Sequence, residues 1–191
     1  MVAVTAGDAE ILRRSRHEPE CFAVLFDRHY TAIHGYAARR LGAGPADDVA
    51  AETFLIAFDR RERYDASKGD ARPWLYGIAS NLIARHHRAE VRQYRALARS
   101  LGRDAVEGHA DGVAGRIDAE AARGPLAAAL GGLSRGDRDV LLLVAWAQLS
   151  LQEAAEALGI PAGTARSRLH RARRKVRAAL GAPTDFGKDM D

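Results

Sequence analysis

The chain has 191 residues, 47% hydrophobic and 28% charged, with 29 Lys plus Arg against 25 Asp plus Glu and a formal net charge of +4. That apolar fraction can build one or two small cores, and it excludes wholesale disorder, a collagen-like repeat and a coiled-coil rod. A single cysteine, Cys21, excludes an internal disulfide framework and a multi-cysteine metal site; it is expected as a buried helix residue in a reducing compartment. With no apolar run long enough to span a bilayer and no leading basic segment, a cytoplasmic protein without membrane contact is expected.

Residues 1–16 are expected to be an N-terminal tail. Phe22, Leu25, Phe26, Ile33, Tyr36 and Ala37 then follow the helical period from Pro19 to near Gly42. After the break at Gly42 to Pro45, Asp47 and Asp48 suit an N-cap and first turn. Val49, Thr53, Phe54, Ile56 and Ala57 carry a second helix toward Arg61. Tyr64 to Arg72 reads as a polar loop that delivers Pro73 to the first position of a third helix, whose apolar face is Trp74, Leu75, Ile78, Leu82 and Ile83. The same helix is expected to run on through Arg85, Arg88, Arg92, Arg95 and Arg99, which step by 3 and 4 and so form one stripe roughly 21 Å long. Five glycines and several acids between residues 102 and 124 predict a flexible linker. In the second half, from 125 to 181, Ser134 with Asp137 and Ser150 with Glu153 are helix-capping pairs. Residues 182–191 are expected to be a C-terminal tail. No β pattern of useful length occurs, so the fold class is all-α: two small helical domains, 17–101 and 125–181, joined by the linker.

The net charge is modest, but its distribution is not. Residues 71–103 hold seven Arg against one Glu, and residues 161–180 hold six Arg and one Lys with no acid, while the rest of the chain is acidic. Two short basic segments in an acidic chain point to two separate contacts with a polyanion. The second contact has a motif. Residues 151–158, a turn at Gly159, Ile160 and Pro161, and the basic helix that follows have the proportions of a helix-turn-helix. Ala155 permits close helix crossing, and Gly159 permits the positive dihedral of the turn. Thr164, Arg166, Ser167, His170 and Arg171 would then face DNA. Arg can bond guanine in bidentate fashion, and the hydroxyls can reach phosphate or base edges.

Three stretches taken together, Ala46 to Phe58, Arg72 to Leu82 and Ser150 to Arg174, resemble the σ2 and σ4 domains of bacterial sigma factors of the sigma-70 family. The short two-domain form is that of the extracytoplasmic-function (ECF) group. The resemblance implies a protein that binds core RNA polymerase, opens the minus 10 promoter element with its first domain and reads the minus 35 element with its second. It implies that Asp48, Glu52, Thr53, Phe54 and Ile56 meet the polymerase, and that Asp65, Ser67 and Lys68, with Asn81, Arg85, Arg88 and Arg92, handle the minus 10 DNA. It also implies an anti-sigma factor as a partner and no cofactor or metal. Ala154, Ala162 and Ala165 stand where the family more often has larger aliphatic residues, which predicts a looser helix-turn-helix core.

Two other classes compete. A stand-alone dimeric helix-turn-helix regulator explains residues 150–180 and leaves the arginine stripe without a purpose. An enzyme finds no support: the seven His show no ligand spacing with Cys21, and neither a phosphate-cradling glycine motif nor a nucleophile elbow is present.

Overall fold

The computed structural model describes residues 6–107 and 123–181, with 101–107 described by backbone alone. The described residues form helices and short 3-10 turns without a strand: α1 (Asp8–Arg14), α2 (Phe22–Leu41), α3 (Ala43–Arg60), α4 (Arg72–Arg85), α5 (His87–Glu107), α6 (Arg123–Gly132), α7 (Arg135–Ala145), α8 (Leu151–Ala157) and α9 (Ala162–Ala179). The all-α expectation holds.

The local signals account for many of the boundaries. The Ser134 side chain accepts from the Asp137 N–H, and Ser150 and Glu153 form a reciprocal capping box, Glu153 N–H to Ser150 Oγ at 3.2 Å and Ser150 N–H to Glu153 Oε2 at 2.7 Å. Between α8 and α9, Gly159 has φ +61°. Its N–H bonds the Glu156 carbonyl and the Ile160 N–H bonds the Ala155 carbonyl, a Schellman ending that needs a residue without Cβ strain at Gly159. Ala155 and Ala165 are buried where α8 meets α9, around Val140 and Leu169. Ala154 is fully buried as well, whereas Ala162 is exposed. Ala162, being exposed, is thus no part of the helix-turn-helix core.

Four expectations are corrected. The first sixteen residues are not all a tail, since α1 buries Ile11 and Leu12. Helix α3 starts at Ala43, directly after Gly42 at φ +86°, so Asp47 and Asp48 lie within it and cap nothing. Pro45 is tolerated because it sits in the first turn, where an N–H has no helical partner. The long third helix is two, broken at His86 (φ −96°, ψ 17°), so Arg85 ends α4 while Arg88, Arg92, Arg95 and Arg99 lie on α5. The break re-aims α5 so that Glu90 and Tyr94, four residues apart, turn inward against α2 and the second domain. Finally, α5 continues to Glu107, so the first residues assigned to the linker are helical; 108–122 lie outside the described residues.

The two halves share one core. Leu25, Ile33, Leu75 and Ile83 from the first belong to the same buried cluster as Leu130, Leu142, Leu143 and Ala172 from the second. Within it lies a charge cluster of four residues, each at most 6% exposed. Arg40 donates to Glu90 (2.6 Å), Asp139 (2.5 Å) and the Tyr36 hydroxyl (2.7 Å), while Arg138 donates to Glu90 (2.7 Å) and to the Leu130 and Leu133 carbonyls. Two arginines and two carboxylates balance, as burial of charge requires. Burial disfavours the charged guanidinium of Arg40, but Tyr36, Asp139 and Glu90 outweigh it and hold its pKa well above the usual value. Burial pushes the Asp139 carboxyl up despite its contact with Arg40.

Candidate nucleic-acid interface

The first candidate site is built by the 3-10 turn Ala66–Lys68 and the start of α4. Asp65 accepts from the Ser67 N–H at 3.0 Å, a bond that shapes the turn; hydrogen bonding by the Ser67 side chain and then by its N–H lowers the carboxyl pKa. Tyr64 fastens the other side through its hydroxyl to the Asp70 carbonyl at 3.0 Å. Helix α1 holds the whole segment: the Ala9 N–H bonds the Gly69 carbonyl at 3.1 Å, and Asp8 accepts from the Ala71 N–H at 3.1 Å and from Arg28 at 2.5 Å, with His29 Nε2 at 2.7 Å.

This turn edges a cavity of about 420 Å³ that brings together Asp65, Lys68 and Asn81 with the Arg60 and Arg63 side chains and the aromatic pair Tyr64 and Trp74, whose ring centroids are 5.1 Å apart. The cavity's cations, aromatic rings and amide are groups that suit an unstacked nucleotide, but Asp65, Asp70, Glu153 and Glu156 line it too, the last two from the second half of the chain, and Glu156 pairs with Lys68. Ser67 is exposed on the same turn. Of the other residues expected here, Arg85 pairs with Glu52 at 2.9 Å, and Arg88 and Arg92 are on α5, past the break.

The second candidate site is the exposed face of α9. Arg166, Ser167 and His170 are exposed and Thr164 is half-buried. Arg171 gives one guanidinium nitrogen to Asp137 at 3.0 Å. Burial alone would raise the pKa of Asp137, but Arg171 and Ser134 overcome it and hold the carboxyl below its ordinary value.

A third surface differs from its expected membership. Asp48 and Glu52 are exposed on α3 and Ile56 is half-buried, but Thr53 and Phe54 are core: Thr53 is fully buried with its hydroxyl donating to the Val49 carbonyl at 2.6 Å, and Phe54 is 4% exposed. Neither has surface to offer a partner. Leu55, 62% exposed, is the apolar residue that α3 presents, and Phe26 lies nearby at 38%, its ring 4.9 Å from that of Phe54. Sequence reasoning passed over Leu55 because the apolar run 53–58 does not say which of its faces is covered.

Reasoning from sequence also missed the buried charges, although a signal was present. Arg40 lies four residues after Tyr36 and seven after Ile33, and so on the apolar stripe of α2; Arg138 lies three and four before Leu141 and Leu142. An arginine in phase with a core face is a candidate for a buried pair. Cys21, expected to be buried in a helix, is half-buried in a 3-10 turn with Sγ 3.2 Å from Glu18.

A helical protein with a cavity of charged and aromatic side chains between its two halves and a basic helix-turn-helix in the second is the class that this geometry defines. Similarity to known proteins narrows it. Residues 25–93 match the family described as Sigma-70 region 2, and residues 123–176 that described as Sigma-70, region 4. The chain is 34% identical over 171 residues to the RNA polymerase sigma factor CnrH of Cupriavidus metallidurans, covering 86% of this chain and 88% of that protein. It is 31% identical over 164 residues to the ECF RNA polymerase sigma factor SigL of Mycobacterium tuberculosis, covering 85% and 90%. Among solved structures, CnrH in complex with the cytosolic domain of CnrY matches with a TM-score of 0.62 at 28% identity, over 91% of this chain and 97% of that one. The chain belongs to the ECF sigma factors of bacterial RNA polymerase. The stand-alone regulator leaves the region 2 half unexplained and is set aside. No described helix is long and apolar enough to cross a membrane.

Proposed function

We propose that this chain is the promoter-selecting subunit of RNA polymerase in the cytoplasm, and that its residues divide the work as the geometry suggests. The observation that carries this reading is the pairing of the exposed arginines of α4 and α5 in the first half with the basic exposed face of α9 in the second. The first-half wall of the cavity, with Lys68, Asn81 and Trp74, takes a base of the opened minus 10 strand, with Asp65 and Ser67 shaping the rim. Arg85, Arg88 and Arg92 track the adjoining phosphates, and Thr164, Arg166, Ser167, His170 and Arg171 read the minus 35 duplex. Asp48, Glu52 and Ile56, with Leu55 and Phe26 in place of Thr53 and Phe54, form the polymerase contact. The polymerase performs the chemistry; this chain supplies position and strand opening. CnrH is known bound to the cytosolic domain of CnrY and RpoE of Bartonella quintana bound to the anti-sigma factor NepR, so a separate anti-sigma protein is the expected regulator.

The direct test is run-off transcription with core polymerase, with and without the chain, across genomic fragments. New start sites that share two spaced elements support the function; a chain that shifts duplex DNA by itself and adds no start site overturns it. Within that assay, Arg166→Ala is expected to cost about 1–3 kcal/mol of discrimination at one minus 35 position, as loss of a bidentate base contact does. Unchanged preference on templates mutated at that position would remove Arg166 from the reading face. Replacing both Arg88 and Arg92 with Ala is expected to weaken promoter binding by the holoenzyme and to flatten its log–log salt dependence by about 1.8, two phosphate contacts at about 0.9 each. An unchanged slope would make the stripe a solvated face.

A further inference from the structure

Helix α9 is seated in the second domain by two kinds of contact. Ala165 and Leu169 face the small core around Val140 and Ala155, and Ala172 joins the main core. Arg168 and Arg171, each one residue before an inward-facing neighbour, lie along the flank of that seat and reach the first turn of α7. A Cβ at Gly136 would stand 2.8 Å from Arg168 Nη1 and 2.9 Å from its Cζ, so the Arg168 guanidinium lies against bare backbone. Arg171 Nη2 donates to Asp137 Oδ1 at 3.0 Å.

That pair is lopsided: the Asp137 side chain is 6% exposed and the Arg171 side chain 50%. The carboxylate is the fixed end. Asp137 is the third residue of α7, and its N–H bonds Ser134 Oγ at 3.3 Å. An acid in a first helical turn is favoured by the helix dipole with no arginine near it. Glu153 holds the same third place in α8, yet its carboxylate turns back to the Ser150 N–H, whereas that of Asp137 goes to Arg171. An exposed arginine carries large rotamer freedom, which a base contact has to remove. One bond to an anchored carboxylate removes part of it before DNA arrives. It spends one of the five N–H donors of the fork, and two are enough for O6 and N7 of a guanine. Arg166, exposed on the same helix, has no such partner among the described residues.

Resting on the function proposed above, in which Arg171 reads the minus 35 duplex, we propose that Asp137 is a positioning residue for that reading: it touches no DNA, holds the Arg171 fork in one orientation, and so sharpens the preference at the single base pair that Arg171 meets. The base is chosen by Arg171, on the helix that enters the groove. How strictly it is chosen depends on Asp137, on the helix behind.

Holoenzyme run-off transcription on templates carrying each of the four bases at every minus 35 position measures the preference. Arg171→Ala should flatten it at one position by at least about fivefold, the lower end of a bidentate base contact. Asp137→Asn keeps nearly the same shape and leaves Ser134 to cap α7. It should flatten the same position by about two- to fivefold, the worth of one partly exposed ion pair, and leave preference at the other positions unchanged. With Arg171→Ala already in place, Asp137→Asn should change nothing further, because no fork is left to hold. A purely structural role would lower output on all templates alike and would persist without Arg171. The free full-length protein gives a check that needs no DNA. In nitrogen NMR of the arginine side chains, the two Nη signals of Arg171 should be separate in wild type and averaged by rotation in Asp137→Asn, while those of Arg166 are averaged in both. Averaged Arg171 signals in wild type overturn the proposal. So does an Asp137→Asn chain with unchanged preference, or one whose effect persists without Arg171, and in both cases the function and the part of Arg171 stand. If Arg171→Ala changes no preference, the assignment of Arg171 falls and that of Asp137 with it. A chain that adds no start site loses the proposed function itself, and the Asp137 pair is then a contact of the fold alone.

Discussion

Glu90→Gln is expected to lower the unfolding free energy of the full chain by about 3–5 kcal/mol, the cost of removing one partner from a buried ion pair. Glu90 is 1% exposed and accepts from both Arg40 and Arg138, so its loss leaves two guanidinium groups with Asp139 as the one remaining carboxylate of the cluster. Neither arginine can shed its proton to escape, because the guanidinium stays charged at any working pH. Urea denaturation followed by far-UV circular dichroism measures the effect. Salt gives a second check: exposed pairs such as Arg13 with Glu10 are screened, whereas the loss from Glu90→Gln should persist when ionic strength is raised to about 0.5 M. A loss below about 1 kcal/mol would mean that water reaches the cluster and that the two domains do not share a closed core.

This cluster also marks where reading the sequence stops. Capping pairs at Ser134 and Ser150, the Gly159 turn and the all-α class were legible because each is settled within a few residues by hydrogen-bond geometry or helical period. What packs on what was not. Glu90 looked like the one acid in a solvated basic stripe, yet its neighbours on the inner face of α5 are Tyr94 and, across the interface, Arg138. Thr53 and Phe54 belong to a family motif, but the phase of α3 turns them into the core and turns Leu55 out. Helix α1 was invisible for a related reason: seven residues with Ile11 and Leu12 as the main apolar pair carry no convincing period, and a helix that short exists only because other residues hold it. Its hold is Asp8. The cavity followed only in part. The loop 65–72 was identified as a DNA contact, but Arg60 and Arg63, and the far wall from Glu153 and Glu156, come from outside that loop, the far wall from the other domain.

Asp8 gives the second large expected effect, and it is a dependence on pH. Burial alone would raise its carboxyl pKa, but the hydrogen bond and charge of His29, the Ala71 N–H and Arg28 outweigh burial and bring it down from 3.8 to about 2. A carboxyl that is harder to protonate in the folded state stabilises that state when it is ionised. The contribution is therefore complete above the unfolded value near 4 and disappears as the pH falls through about 2. Its size is about 2 kcal/mol, since each tenfold change in proton affinity between the folded and unfolded states is worth about 1.4 kcal/mol. Asp8→Asn should accordingly unfold more easily than wild type by about 2 kcal/mol between about pH 5 and 7, with the difference shrinking steadily below about pH 4. A difference that stays constant down to about pH 3 would assign the effect to lost packing and not to the charge. The same substitution should reach the proposed minus 10 site, because Asp8 bonds the Ala71 N–H at the start of α4 and α1 bonds Gly69 within the turn. Open-complex formation should thus fall by more than core polymerase binding does, since α3, proposed to meet the polymerase, is seated in the core by Val49, Ala50, Phe54 and Ala57 and not by Asp8. Equal losses in the two assays would mean that α1 supports the domain as a whole and has no particular hold on the turn proposed to meet the minus 10 strand.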